Sequence, residues 1–272
     1  MDFFHACLTR LFDAILYPAS RLHPICGLTI AAVLSAVIIV WLVGKTSDQR
    51  LVRTLKARVK GHLLEMWIFR DCTRVVLTAQ VRILSSSVRL SLCLLGSLLV
   101  LLIPMTAIMA QLQARYGYRP LEPGDGAILR ITFSDAAAPD AIDARVEVPE
   151  GLVLESLALR IPAEREVDVR IGARRAGDYR VVLRSAGQTV GKSVHVGAWA
   201  GPLSPVRAKG LVDRVIYPIE AALPDGPITR IRLEYPSRTL AFGAVDLHWL
   251  WPFLVLSVLA VFAMKRLFHI EL

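Results

Sequence analysis

Three apolar blocks and one alternating region divide the chain. Residues 25–44 and 90–110 contain no charged side chain. Each runs about 20 residues, which at about 1.5 Å per residue is enough to cross a hydrocarbon layer of roughly 30 Å. Residues 247–264 form a third, shorter block near the lower limit for a span. Between the first two blocks the apolar period is helical. Leu51, Leu55, Val59, Leu63 and Trp67 step by four, Val52, Met66 and Ile68 widen the same face, and a helix is predicted over 49–69. A second arm carries Val75, Val76, Val81 and Leu84 back into the second block, with Asp71 as an expected cap, so 45–89 reads as a helical hairpin.

Ahead of the first block, Phe3, Phe4, Leu8, Leu11, Phe12, Ile15 and Leu16 recur at helical spacing around Arg10 and Asp13. This predicts an amphipathic helix within 1–24, lying in the membrane interface. Past the second block the period changes from helical to alternating. Ile142, Ala144, Val146 and Val148 are interleaved with Asp143, Arg145 and Glu147; Val167, Val169 and Ile171 with Glu166, Asp168 and Arg170; and Ile231, Leu233 and Tyr235 with Arg230, Arg232 and Glu234. Further short runs at 128–133, 157–161, 179–183 and 192–196 complete the pattern of an antiparallel β-sandwich over 118–246. The sequence Ala176-Gly-Asp-Tyr179 before a strand resembles the tyrosine corner of immunoglobulin-like domains. Residues 199–227 are rich in Pro and Gly and read as a long connection beside the membrane.

Charge orients these parts. The net charge of +9 is concentrated in 45–89, where ten Lys/Arg face three acids, a net +7. The segment 111–246 is nearly balanced, with 18 basic and 17 acidic residues. Basic loops next to spans stay cytoplasmic, so the hairpin is expected inside, with the N-terminus and the β-domain outside. His248, Trp249 and Trp251 suit the outer interface, and Lys265-Arg266 precede a cytoplasmic tail ending at 272. The predicted class is membrane α + β: three transmembrane helices, a basic cytoplasmic hairpin and an extracytoplasmic immunoglobulin-like β-sandwich.

Catalytic chemistry has little to work with. The six histidines and four cysteines are dispersed, with no metal-ligand, redox or triad spacing. Gly187-Gln-Thr-Val-Gly191-Lys-Ser193 has three residues between its glycines where a phosphate-binding loop needs four, and is expected to be a hairpin turn. No enzyme activity, cofactor or metal is expected. With the excess charge beside spans, DNA is not an expected partner. No Asp, Glu, Lys or Arg lies within the three blocks, which disfavours ion pumps and proton relays.

The order of an interfacial helix, a span, a basic hairpin, a second span, an external domain and a third span resembles the core of the YidC/Oxa/Get/EMC membrane-insertase superfamily. The stretch Lys56-Ala-Arg58-Val-Lys60-Gly-His62-Leu-Leu-Glu65 also resembles that of uncharacterised bacterial three-span membrane proteins. The resemblance implies a multi-pass protein of a bacterial-type inner membrane that assists insertion or assembly of membrane proteins. Arg50, Arg53, Lys56, Arg58, Lys60, Arg70 and Arg74 would form its cytoplasmic contact surface, meeting nascent chains, the ribosome or anionic lipid. The superfamily's bacterial members carry an arginine in the first core span, and residues 25–44 contain none. A groove here would be lined by Thr29, Ser35, Ser91, Ser97, Thr106 and Ser257, with Arg89 near its cytoplasmic mouth. The alternative is a non-catalytic scaffold that couples the external domain to a cytoplasmic partner.

Overall fold

Helices come from the segments with helical period and strands from those that alternate. The computed structural model describes residues 9–10, 12–15, 24–46, 48–134, 145–185, 187–198, 201–242 and 245–268. Two units result, one formed by 28–105 and 252–272, the other by 1–27 and 106–251.

The first unit is helical. Helix α1 (Pro24–Thr46) leads to α2 (Gln49–Ile68), a short turn follows, and α3 (Thr73–Tyr116) returns as one helix of 44 residues. Helix α5 (Leu250–Phe268) supplies the remainder. Two of these helices, α1 and α3, are long and apolar enough to cross a membrane, and α5 carries a shorter apolar run, Leu250–Met264. Along α1, Leu28, Ala31, Ala32, Ser35, Ala36 and Val40 are buried and trace one face. Small residues at this spacing let helix backbones approach closely where no aqueous hydrophobic effect drives them together. Asp48 caps α2 by accepting hydrogen bonds from the amides of Arg50 (3.0 Å) and Leu51 (3.1 Å). Asp71 lies in the turn, 3.9 Å from the Arg70 guanidinium. The predicted span at 90–110 lies within α3, which runs through Gly96 and Pro104 to Tyr116 as one helix. The third apolar helix begins at Leu250 and not at 247, since 245–248 belong to a strand.

The second unit is built on antiparallel strands: β1 (Gly126–Phe133), β2 (Arg145–Glu147), β3 (Leu152–Leu154), β4 (Leu159–Ile161), β5 (Glu166–Ala173), β6 (Gly177–Ser185), β7 (Gln188–Val196), β8 (Val206–Ala208), β9 (Ile228–Leu233), β10 (Thr239–Phe242) and β11 (Val245–His248). One sheet has the order β3-β5-β1-β9-β8, with β4 also on β5; another has the order β2-β6-β7; β10 and β11 pair separately. Inward residues of both larger sheets share one hydrophobic core. Leu129, Ile131, Val167, Val169, Ile171, Ile231 and Leu233 come from the first, and Val181, Leu183, Val190 and Val194 from the second. The alternation therefore has its expected phase. Residues 142–144 of the second predicted strand lie outside the described residues.

The Tyr179 hydroxyl donates to the carbonyl of Arg175 (3.0 Å), the local contact suggested by Ala176-Gly-Asp-Tyr179. Its ring covers Gly151, where a Cβ would sit 2.0 Å from the hydroxyl oxygen, so a larger residue there would displace the Tyr179 side chain. Of the connection 199–227, residues 201–227 are described, and they are more regular than their composition suggests. They contain β8, paired with β9, and the short helix α4 (Leu211–Ile216).

Of the interfacial helix predicted within 1–24, residues 9–10 and 12–15 are described, and they are helical. They are tied to the last turns of α3. The Gln111 side-chain amide donates to Thr9 Oγ1 (2.9 Å), and Arg115 pairs with Asp13, 5.8 Å from the Phe12 ring. Trp249, ahead of α5, donates from Nε1 to Gln113 Oε1 (2.9 Å). One unit thus gathers the N-terminal segment, the end of α3, the β-strands and the start of α5.

Candidate functional site

The basic hairpin keeps most of its predicted surface open. Arg50, Arg53, Arg58, Lys60, Arg70 and Arg74 are exposed, and Lys56 is half-buried. The three acids of the segment are engaged locally. Asp48 caps α2, Glu65 lies 3.1 Å from His62 Nδ1, and Asp71 lies beside Arg70. The predicted apolar face of α2 is covered only near its start. Val52 and Leu55 are buried and Val59 is half-buried, while Leu51, Leu63 and Trp67 are exposed.

Helix α3 has two opposed faces along its hairpin half. Ala79 and Ser86 are buried, and Leu77, Val81, Leu84 and Val88 are exposed. At about 100° per residue, the exposed four fall within a narrow stripe opposite the buried pair. Leu92, Leu95, Leu99 and Leu102 continue that stripe into the charge-free block. This narrow stripe is therefore apolar from the basic hairpin into the charge-free block, with Arg82, Arg89 and other exposed polar residues of α3 lying beside it.

The predicted polar lining separates into two groups. Ser35, Ser97 and Ser257 are buried within the helical unit. Arg89 and Ser91 are exposed, and Thr29 and Thr106 are half-buried. The Ser35 hydroxyl is satisfied within its own helix, donating to the carbonyl of Ala31 (2.7 Å). Those of Ser97 and Ser257 are buried without a hydrogen-bond partner among the described residues. A buried hydroxyl in this condition costs about 1–3 kcal/mol unless water or another polar group reaches it. Among the described residues no group of His, Cys, Asp and Glu could hold a metal ion.

The β-domain contains a charged cluster that sequence reasoning did not identify. Lys192 is fully buried on β7, and its ammonium donates to the Ser204 carbonyl and to Glu220 Oε2, both at 2.5 Å. Glu220 Oε1 accepts from the Ser193 amide (2.9 Å). Arg207 donates from Nε to the Ala221 carbonyl (2.9 Å) and also reaches the Gly191 carbonyl. Burial pushes the Lys192 ammonium below its ordinary pKa, with the Glu220 charge opposing. Burial would raise the Glu220 carboxyl, but the Lys192 charge and the Ser193 amide override it and hold it below the ordinary carboxylate value. The Lys192 ammonium and both Glu220 carboxylate oxygens are held by protein partners. Its role is to clamp the segment from Ser204 to Ala222 onto β7. The hairpin expected at Gly187 is present, since Ser185 pairs with Gln188 across the turn.

The chain matches no protein-family model, no curated protein and no solved structure.

Proposed function

We propose that this is a three-span membrane protein that assists insertion or assembly of other membrane proteins. Its basic hairpin faces the cytoplasm, and its open, immunoglobulin-like β-sandwich and N-terminus lie outside. The observation that carries the proposal is the exposed stripe of α3, apolar from Leu77 through Leu102 and starting beside Arg74 in a strongly basic hairpin. α3 is one continuous helix, so when 90–110 spans, Leu77 stands about 20 Å beyond the bilayer core and the protein's own membrane does not cover it. A client's apolar segment would meet cations first and then a surface matching its own chemistry on the way into lipid.

The scaffold alternative draws on a different observation, the stripe of small residues on α1, which serves packing alone. Photocrosslinkers at Val88 and Leu99, both exposed on the stripe, separate the two. An insertase crosslinks to stalled nascent membrane proteins, and does so several-fold less when Arg53, Lys56, Arg58 and Lys60 are replaced by Gln. A scaffold crosslinks only to resident proteins, with no change on neutralisation.

A further inference from the structure

Helix α4 is turned the wrong way for a domain surrounded by water. It has no buried residue, and Leu211, Val212 and Ile216 are exposed at 63%, 72% and 41%. Its polar side faces the sheet instead. Both carboxylate oxygens of Asp213 accept from the Arg230 guanidinium on β9, at 2.6 Å. A surface helix of a soluble domain buries its apolar side and leaves charge to solvent; the reverse arrangement suits an apolar solvent on the outer side.

Position supplies the identity of that solvent. Ile216, Tyr217 and Ile219, at and just past the end of α4, line a crevice together with Ala110, Gln113 and Ala114 of α3. Ala110 is the last residue of the charge-free block 90–110. The end of α4 therefore sits where α3 leaves the hydrocarbon, at the depth of the lipid headgroups. Nearby Tyr116, Tyr118, Trp249 and Trp251 have the composition of an interfacial belt.

We infer that α4 is a membrane-surface foot of the β-domain, with Leu211, Val212 and Ile216 resting in the headgroup and upper acyl region of the outer phospholipid leaflet. This rests on the proposal that α3 spans the bilayer. Helices that lie in an interface bury their apolar side about 5–10 Å into the headgroup–acyl boundary.

The test uses the full chain with Cys7, Cys26, Cys72 and Cys93 replaced by Ser, carrying single cysteines at Val212, Leu102 or Thr189, each labelled with an environment-sensitive fluorophore. The three side chains are exposed, so the substitutions leave the core untouched. The proteins are reconstituted into phosphatidylcholine–phosphatidylglycerol vesicles brominated at a shallow or a deep acyl position. The expected result is blue-shifted emission at 212 with loss of fluorescence to shallow bromines, stronger loss to deep bromines at 102, and none at 189. Quenching at 102 with none at 212 overturns the foot and leaves the span intact, whether 212 proves open to aqueous quencher or covered by protein. No quenching at 102 or 212 defeats the membrane reading, and the foot with it.

Discussion

Replacing Glu220 with Gln should cost the β-domain about 3–5 kcal/mol, because it leaves the Lys192 ammonium buried without a counter-ion. Domains of this kind are stabilised by only about 5–15 kcal/mol in total, so the variant should lose much of its protease resistance. The double replacement Lys192→Met with Glu220→Leu should recover most of the loss, since a buried ion pair is usually worth little against apolar groups of similar volume. The two changes are far from additive because each side chain is the other's partner.

The pH dependence has a sign that identifies the cluster. In the parent, Glu220 has a depressed pKa in the folded state, so its contribution is complete above the ordinary carboxylate value and is lost as pH falls through the folded value. In Glu220→Gln that acid-sensitive contribution is gone. Lys192, whose pKa burial already lowers in the parent against the opposing Glu220 charge, then binds its proton still more weakly folded than unfolded, so the variant should regain more stability than the parent as pH rises toward the ordinary lysine value. Pulse proteolysis of the detergent-solubilised chain in urea, at acidic, neutral and alkaline pH, checks both statements.

Val169→Asp should be of comparable severity. Val169 is 2% exposed, pairs with Leu129 across β1 and β5, and shares its face with Val167 and Ile171. A carboxylate there has no partner and costs several kcal/mol, enough to unfold the domain. The adjacent position gives the contrast. Asp168 lies on the other face, where Arg130 Nη2 donates to its Oδ2 at 3.0 Å. Asp168→Val removes one partly exposed ion pair, worth about 0–1 kcal/mol. Equal sensitivity of the two variants in the same proteolysis experiment would mean that the strand faces are wrongly phased.

That contrast shows why the strands were legible. A period of two with charges at every second position leaves one choice of inner face, as in Val167, Val169 and Ile171. The same pattern held a clue to the buried ion pair. Val190, Val194 and Val196 point inward, and Lys192 falls in their register, where a lysine is out of place without a partner. Glu220 could not be found the same way. It lies 28 residues away in an irregular segment, and only tertiary structure brings it to β7.

Helix ends were the least readable feature. Arg89 marks a change in polarity, not a change in backbone, so α3 continues from the hairpin into the apolar block. The end of the chain shows the opposite limit. Leu247 and His248 are apolar or aromatic like the helix that follows, and only pairing with Leu240 and Thr239 assigns them to β11. Burial within the hairpin was also beyond reach. The steps of four along α2 predict one face, but coverage reaches only Val52 and Leu55 before the face opens at Leu63 and Trp67.

The central claim is that the basic hairpin and the β-domain lie on opposite sides of a membrane. Single-cysteine labelling tests it directly, in a chain whose four native cysteines are replaced, with the new thiol at Lys60 on α2 or at Thr189 on the exposed β6–β7 hairpin. Thr189 is preferable to the neighbouring Gly187, whose φ of 78° favours glycine. An impermeant maleimide applied to intact cells should modify position 189 and spare position 60, with both reacting after the cells are opened. Labelling of 60 with protection of 189, or labelling of both in intact cells, would contradict the account.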